Sequence, residues 1–82
     1  MGSFDYIDFK KRLVLNGIKI EELSTLNLDK TIFIQVEIEI IDQIGRKFTN
    51  VSEGSSYEEA YKDTYNIIKK NESLFNKIEK GI

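Results

Sequence analysis

From Thr31 to Ile41 the chain alternates strictly. Ile32, Ile34, Val36, Ile38 and Ile40 fall on one side. Phe33, Gln35, Glu37, Glu39 and Ile41 fall on the other. A period of two over eleven residues predicts an antiparallel strand with one face on a core and one face in water. A slip of one residue would expose five branched aliphatics, so the register is strongly specified. Asp42-Gln43-Ile44-Gly45 predicts a turn, with Gly45 suited to positive φ, and Arg46–Val51 returns as the partner strand. Arg46 and Lys47 are expected to face Glu37 or Glu39 across that hairpin.

Helical periodicity flanks this hairpin. Phe4, Ile7, Phe9, Leu13 and Val14 approximate a helical stripe over residues 4–16, with Asp5 and Asp8 in the first turns and Asn16-Gly17 as a stop. Ser55-Ser56-Tyr57-Glu58-Glu59 opens a long second helix. Both Ser55 with Glu58 and Ser56 with Glu59 have capping-box spacing. Its apolar stripe runs Tyr57, Ala60, Tyr61, Thr64, Ile67, Ile68, Leu74, Phe75 and Ile78, and the helix is expected to reach about Lys80, with Gly81 as its stop. Residues 17–28 read two ways: a strand carrying Ile18 and Ile20, or a helical turn over Glu21–Leu26. The strand is the preferred reading.

The expected fold class is therefore α+β. An antiparallel two- or three-stranded sheet would carry an N-terminal and a long C-terminal helix on one face, in the order α-β-β-β-α. Residues 4–80 form one domain; Met1-Gly2-Ser3 has the form of a cloning scar. The expected core is Phe9, Leu13, Ile32, Ile34, Val36, Ile38, Ile40, Phe48, Tyr61, Ile68 and Phe75.

Composition narrows the function. The 82 residues carry net charge −2 and contain no Cys and no His. Thiolate nucleophiles, imidazole bases and Cys- or His-ligated metals are thereby excluded, and no cofactor, metal or catalytic residue is expected. Thirteen Ile and ten Lys against two Arg suggest AT-rich codons, as in some bacteria and their phages. Acids and bases are mixed along the chain, so no segment is a basic patch. No apolar run approaches 18 residues and no basic-then-apolar leader is visible, so the expectation is a cytoplasmic protein with no membrane contact.

Glu37 and Glu39 lie two apart on one strand face, roughly 6–7 Å from each other. Such a pair suits a divalent cation or acid–base work, but an alternating strand also requires polar residues there, and that plainer reading is preferred. Glu58 and Glu59 read as capping residues. Tyr57, Tyr61 and Tyr65 recur every four residues; their hydroxyls and amphipathic rings suit recognition at an interface, but the preferred reading makes Tyr57 and Tyr61 core residues with wet tips. Phe33 and Ile41 break the polar strand face, and Ile44 sits in the turn. With Arg46 and Lys47 they form the candidate partner-binding set. Open sheet edges add a route to strand pairing. The expected function is that of a small non-enzymatic regulator or inhibitor of the phage-derived kind, binding a protein partner or itself through hairpin and sheet edge.

Two resemblances bear on this. Residues 31–68 hold a long alternating strand, a charged hairpin, Phe48, Glu53-Gly54-Ser55-Ser56, and a helix with Glu59-Ala60 near its start. That order resembles the double-stranded RNA-binding domain over about half the chain. The resemblance implies an α-β-β-β-α fold and, as the alternative function, nucleic-acid binding. The family reads phosphates with lysines at the start of its second helix; here Tyr57, Glu58, Glu59 and Tyr61 stand there, and Lys62 is the one base. The loop Asn27-Leu28-Asp29-Lys30 lacks the family's Gly-Pro-His-like signature. The run Gly54-Ser55-Ser56-Tyr57-Glu58-Glu59-Ala60 is also similar to the helix start of the HicB antitoxins.

Overall fold

The computed structural model describes residues 4–41, 44–71 and 78. The element order is α1 (Tyr6–Leu15), β1 (Lys19–Leu26), β2 (Ile32–Ile41), β3 (Lys47–Gly54) and α2 (Tyr57–Lys70). The fold is α+β, in the order α-β-β-β-α. The strands form one antiparallel sheet in the order β1-β2-β3.

Local chemistry explains the boundaries. Asp5 caps α1: its carboxylate accepts from the Ile7 and Asp8 amides, both at 3.1 Å. The helix closes in a Schellman motif. Gly17, at φ +74, donates to Val14, and Ile18 donates to Leu13. The accompanying apolar contact is made by Leu13 and Ile18, both buried. The chain leaves that turn directly into β1, which settles residues 19–26 as strand.

At α2 the cap is Ser56, whose Oγ accepts from the Glu59 amide at 3.1 Å. The reciprocal half of the expected box is not made. The Glu59 carboxylate accepts instead from the Ser55 hydroxyl, at 2.7 Å. Glu58 is exposed and takes no part. The helix is also shorter than expected: it ends at Lys70, with Asn71 in an extended conformation (φ −101, ψ 95). Leu74 and Phe75 lie outside the described residues; Ile78 is buried, and its carbonyl accepts from Asn16 Nδ2 at 3.4 Å.

The core lies between the sheet and the two helices. Ile34, Val36, Ile38 and Ile40 of β2 meet Phe9 and Leu13 of α1 and Ala60, Tyr61 and Ile68 of α2. Phe48 is only partly buried, at the margin of this cluster. Tyr65 stands edge-on to Phe9, with centroids 5.3 Å apart, and packs against Phe4 as well. Two polar groups are buried and satisfy each other. Thr64 Oγ1 lies 2.8 Å from Ser52 Oγ, which also accepts from Asn50 Nδ2.

One expected core residue is outside the core. Ile32 lies on the inward side of β2 but is 51% exposed. Lengths explain it. At about 1.5 Å per helical residue, the 10 and 14 residues of α1 and α2 span roughly 15 and 21 Å. At about 3.3 Å per strand residue, the ten residues of β2 span roughly 33 Å. The helices cannot cover the sheet from end to end. The uncovered end is fixed by β3, which stops at Gly54 opposite Ile34. There the chain turns into α2, so everything beyond the Ile34 row overhangs.

Candidate functional site

The overhang is the end of the β1–β2 hairpin. On its helix side Leu26 pairs with Ile32, and Leu26 is 70% exposed. On its open side Thr25 pairs with Phe33, and Leu23, also exposed, is a diagonal neighbour of Phe33. Leu28 projects fully into solvent from the loop.

That loop is well held. The Asn27 amide donates to the Thr31 carbonyl at 2.9 Å, and the Lys30 amide donates to the Asn27 carbonyl at 3.0 Å. Asp29 accepts from both the Thr31 amide and the Thr31 hydroxyl, at 3.1 and 2.6 Å. Those bonds from Thr31 hold the Asp29 carboxyl below the usual carboxylate range. Lys30 takes the left-handed conformation, φ +69, that the turn needs. Four large aliphatics are thus displayed on a braced hairpin rather than on a loose loop.

β1 is an edge strand, and all its residues except Ile20 are exposed. Its last inward anchor is Glu22. The Glu22 carboxylate accepts from the hydroxyl of the buried Tyr61 and from Lys10 Nζ at 2.9 Å. Burial pulls the Glu22 carboxyl upward, but the bonds from Tyr61 and Lys10 and the lysine's charge outweigh it, and the net value lies below the usual range. Burial, and then the Glu22 carboxylate, push the Tyr61 hydroxyl well above the usual tyrosine range. The Tyr61 ring is stacked on Tyr6, with centroids 5.7 Å apart. This cluster ties β1 to both helices as far as Glu22. Ser24 and Leu26, the next inward-facing residues, are exposed.

The open face is acidic. Glu21 stands directly opposite Glu37, and Glu39 and Glu53 lie on the same face, against Lys19 and Lys47. Lys47 Nζ is 3.8 Å from Glu39, the cross-hairpin pair expected from the sequence. Such an exposed pair contributes at most about 1 kcal/mol. Among the described residues, no three Asp, Glu, His or Cys side chains are arranged to hold a metal ion. Glu21, Glu22, Leu23, Gln35 and Glu37 line a shallow, open depression beside β1.

The five candidate residues named from the sequence divide between two places. Ile41, Ile44, Arg46 and Lys47 are exposed together at the β2–β3 turn, with Gly45 at φ +85. Phe33 is half-buried at the other end of β2, about 26 Å away at strand rise. It lies with Leu23 on the open side of the hairpin end, whose helix side carries Leu26 and Ile32 and whose loop carries Leu28; none of these four is among the five candidates. The available signal was the run Leu23, Leu26, Leu28 at the end of a short alternating segment.

Comparison with family models, with curated proteins and with solved structures finds no match to this chain. Among the described residues, no helix is long and apolar enough to cross a membrane.

Proposed function

We propose that this domain is a non-enzymatic interaction module, a regulator or inhibitor that works in the cytoplasm by binding a protein chain, a partner's or a second copy of its own. It binds through the free edge of β1 and the overhanging β1–β2 hairpin. One observation carries this reading: Leu23, Leu26, Leu28 and Ile32 are all exposed on a hydrogen-bonded hairpin whose outer strand has an open edge. Clustered exposed aliphatics mark interaction surfaces, and an open edge offers backbone groups to an added strand. The acidic open face and the Glu58-Glu59 start of α2 weigh against a polyanionic partner.

The test is capture of partners by the tagged chain from host lysate, with and without nuclease. Leu26→Ser/Ile32→Ser is run beside Ile41→Ser/Ile44→Ser. The expected result is a discrete protein that survives nuclease and is lost with the first pair of changes only. Loss with the second pair alone moves the binding surface to the β2–β3 turn. Recovery that vanishes with nuclease replaces the reading with nucleic-acid binding.

A further inference from the structure

We propose that the strand added to the β1 edge is β1 of a second copy, giving a two-fold dimer with a continuous six-stranded sheet. This rests on the reading of β1 as the binding edge and names its occupant. The argument is self-complementarity. Alternate residues of an antiparallel strand direct their backbone groups outward. Two copies of one edge therefore pair only when the opposed residue numbers sum to an even number, with one residue facing itself on the axis. Two such registers keep seven of the eight strand residues paired. Centred on Glu22, the register sets Glu22 against itself, a like-charge pair, and sets Glu21 against Leu23. Centred on Leu23, it sets Leu23 against Leu23 and Leu26 against Ile20. Glu22 then faces a Ser24 hydroxyl and Glu21 a Thr25 hydroxyl. In that one register apolar meets apolar, and each glutamate meets a hydrogen-bond donor.

The edge carries its charges at Lys19, at Glu21 on the open face, and at Glu22, which faces inward and is already held by Tyr61 and Lys10. Between Ile20 and Leu26 it has no lysine, no proline and no glycine. With the axis perpendicular to the sheet, the helices of both copies lie on one side. Leu26 of each copy then covers the half-buried Ile20 of the other, an isologous contact.

The full chain is examined by sedimentation over a wide concentration range, together with single-cysteine variants, since the chain has no cysteine of its own. A concentration-dependent dimer is expected. Leu23→Cys crosslinks to itself under mild oxidation, and Glu21→Cys crosslinks when mixed with Thr25→Cys but not alone. Leu23→Lys, with circular dichroism unchanged because Leu23 is exposed, sediments as a monomer, and mixing it with Leu23→Glu restores the dimer. A monomer at every concentration overturns the proposal, as does a dimer in which Leu23→Cys does not crosslink. A monomer that still binds another protein through Leu26 and Ile32 overturns the self-pairing alone and leaves the interaction reading standing.

Discussion

Replacing Tyr61 with Phe isolates the bond that anchors β1. The ring is fully buried and stacks on Tyr6, so Phe keeps the packing and loses only the hydroxyl. What remains is a Glu22 carboxylate with one of its two partners, Lys10 at 2.9 Å. A hydrogen bond to a charged group contributes about 1.5–3 kcal/mol, and a carboxylate left wholly dry would cost more. Glu22 is not wholly dry: its side chain is 27% exposed, so water replaces part of what is lost. The expected cost is therefore about 1–2 kcal/mol, which lowers Tm by roughly 5–15 °C in a domain of this length. Urea denaturation with unchanged m-value measures it. Glu22→Gln and the double variant complete a cycle, whose coupling should be on the order of 1 kcal/mol because the two groups touch. Hydrogen exchange should quicken in β1 before β2, since β1 has few other inward anchors. Equal stability of Tyr61→Phe and the parent, or strictly additive single changes, would refute the claim that this bond holds the strand.

Gly54→Ala should destabilise by about 1–3 kcal/mol, as overpacking does, because a Cβ there would stand 2.9 Å from both the Ala60 nitrogen and Glu59 Cβ; denaturation that shows no loss would mean that α2 can lift from β3 freely. Ile38→Ala and Ile32→Ala, on one face of one strand, should diverge: about 2–5 kcal/mol for the fully buried Ile38 and within about 1 kcal/mol for the half-exposed Ile32. Stability should fall at both ends of the pH scale. The contribution of the depressed Glu22 carboxyl is present above its ordinary value of 4.5 and is lost as pH falls through the lower folded value. That of the elevated Tyr61 hydroxyl is present below 10.0 and is lost as pH rises past it, because the unfolded chain ionises first. Urea midpoints against pH check this: Glu22→Gln should flatten the acid arm and Tyr61→Phe the alkaline arm.

Periodicity made β2 legible because its two faces differ at every step, and the helices because their caps are local chemistry. The order α-β-β-β-α followed from those signals. β1 was hard to read for a physical reason: neither of its faces is properly buried, so Leu23, Leu26, Leu28 and the two glutamates carry no clean alternation. Glu22 shares its parity with Ile18 and Ile20, which places a carboxylate on an inward face. Such a residue signals a hidden partner, yet Tyr61, 39 positions away, is identified only by the register.

The overhang was available in part from lengths alone. Two helices of 10 and 14 residues cannot cover strands of eight to ten. What length leaves open is which end stays bare, and that is decided at two glycines. Gly17 folds the end of α1 onto the start of β1, which buries Ile18. Gly54 lets β3 pass close enough to α2 for the helix to begin at the Ile34 row and run back toward Ile40. Both ties lie on the near side of that row, so Leu26 and Ile32 are left outside although their pattern is that of core residues. An apolar pair held in strand geometry but denied a helix to pack on is covered by a partner or remains in water, and the dimer and capture experiments decide between those two.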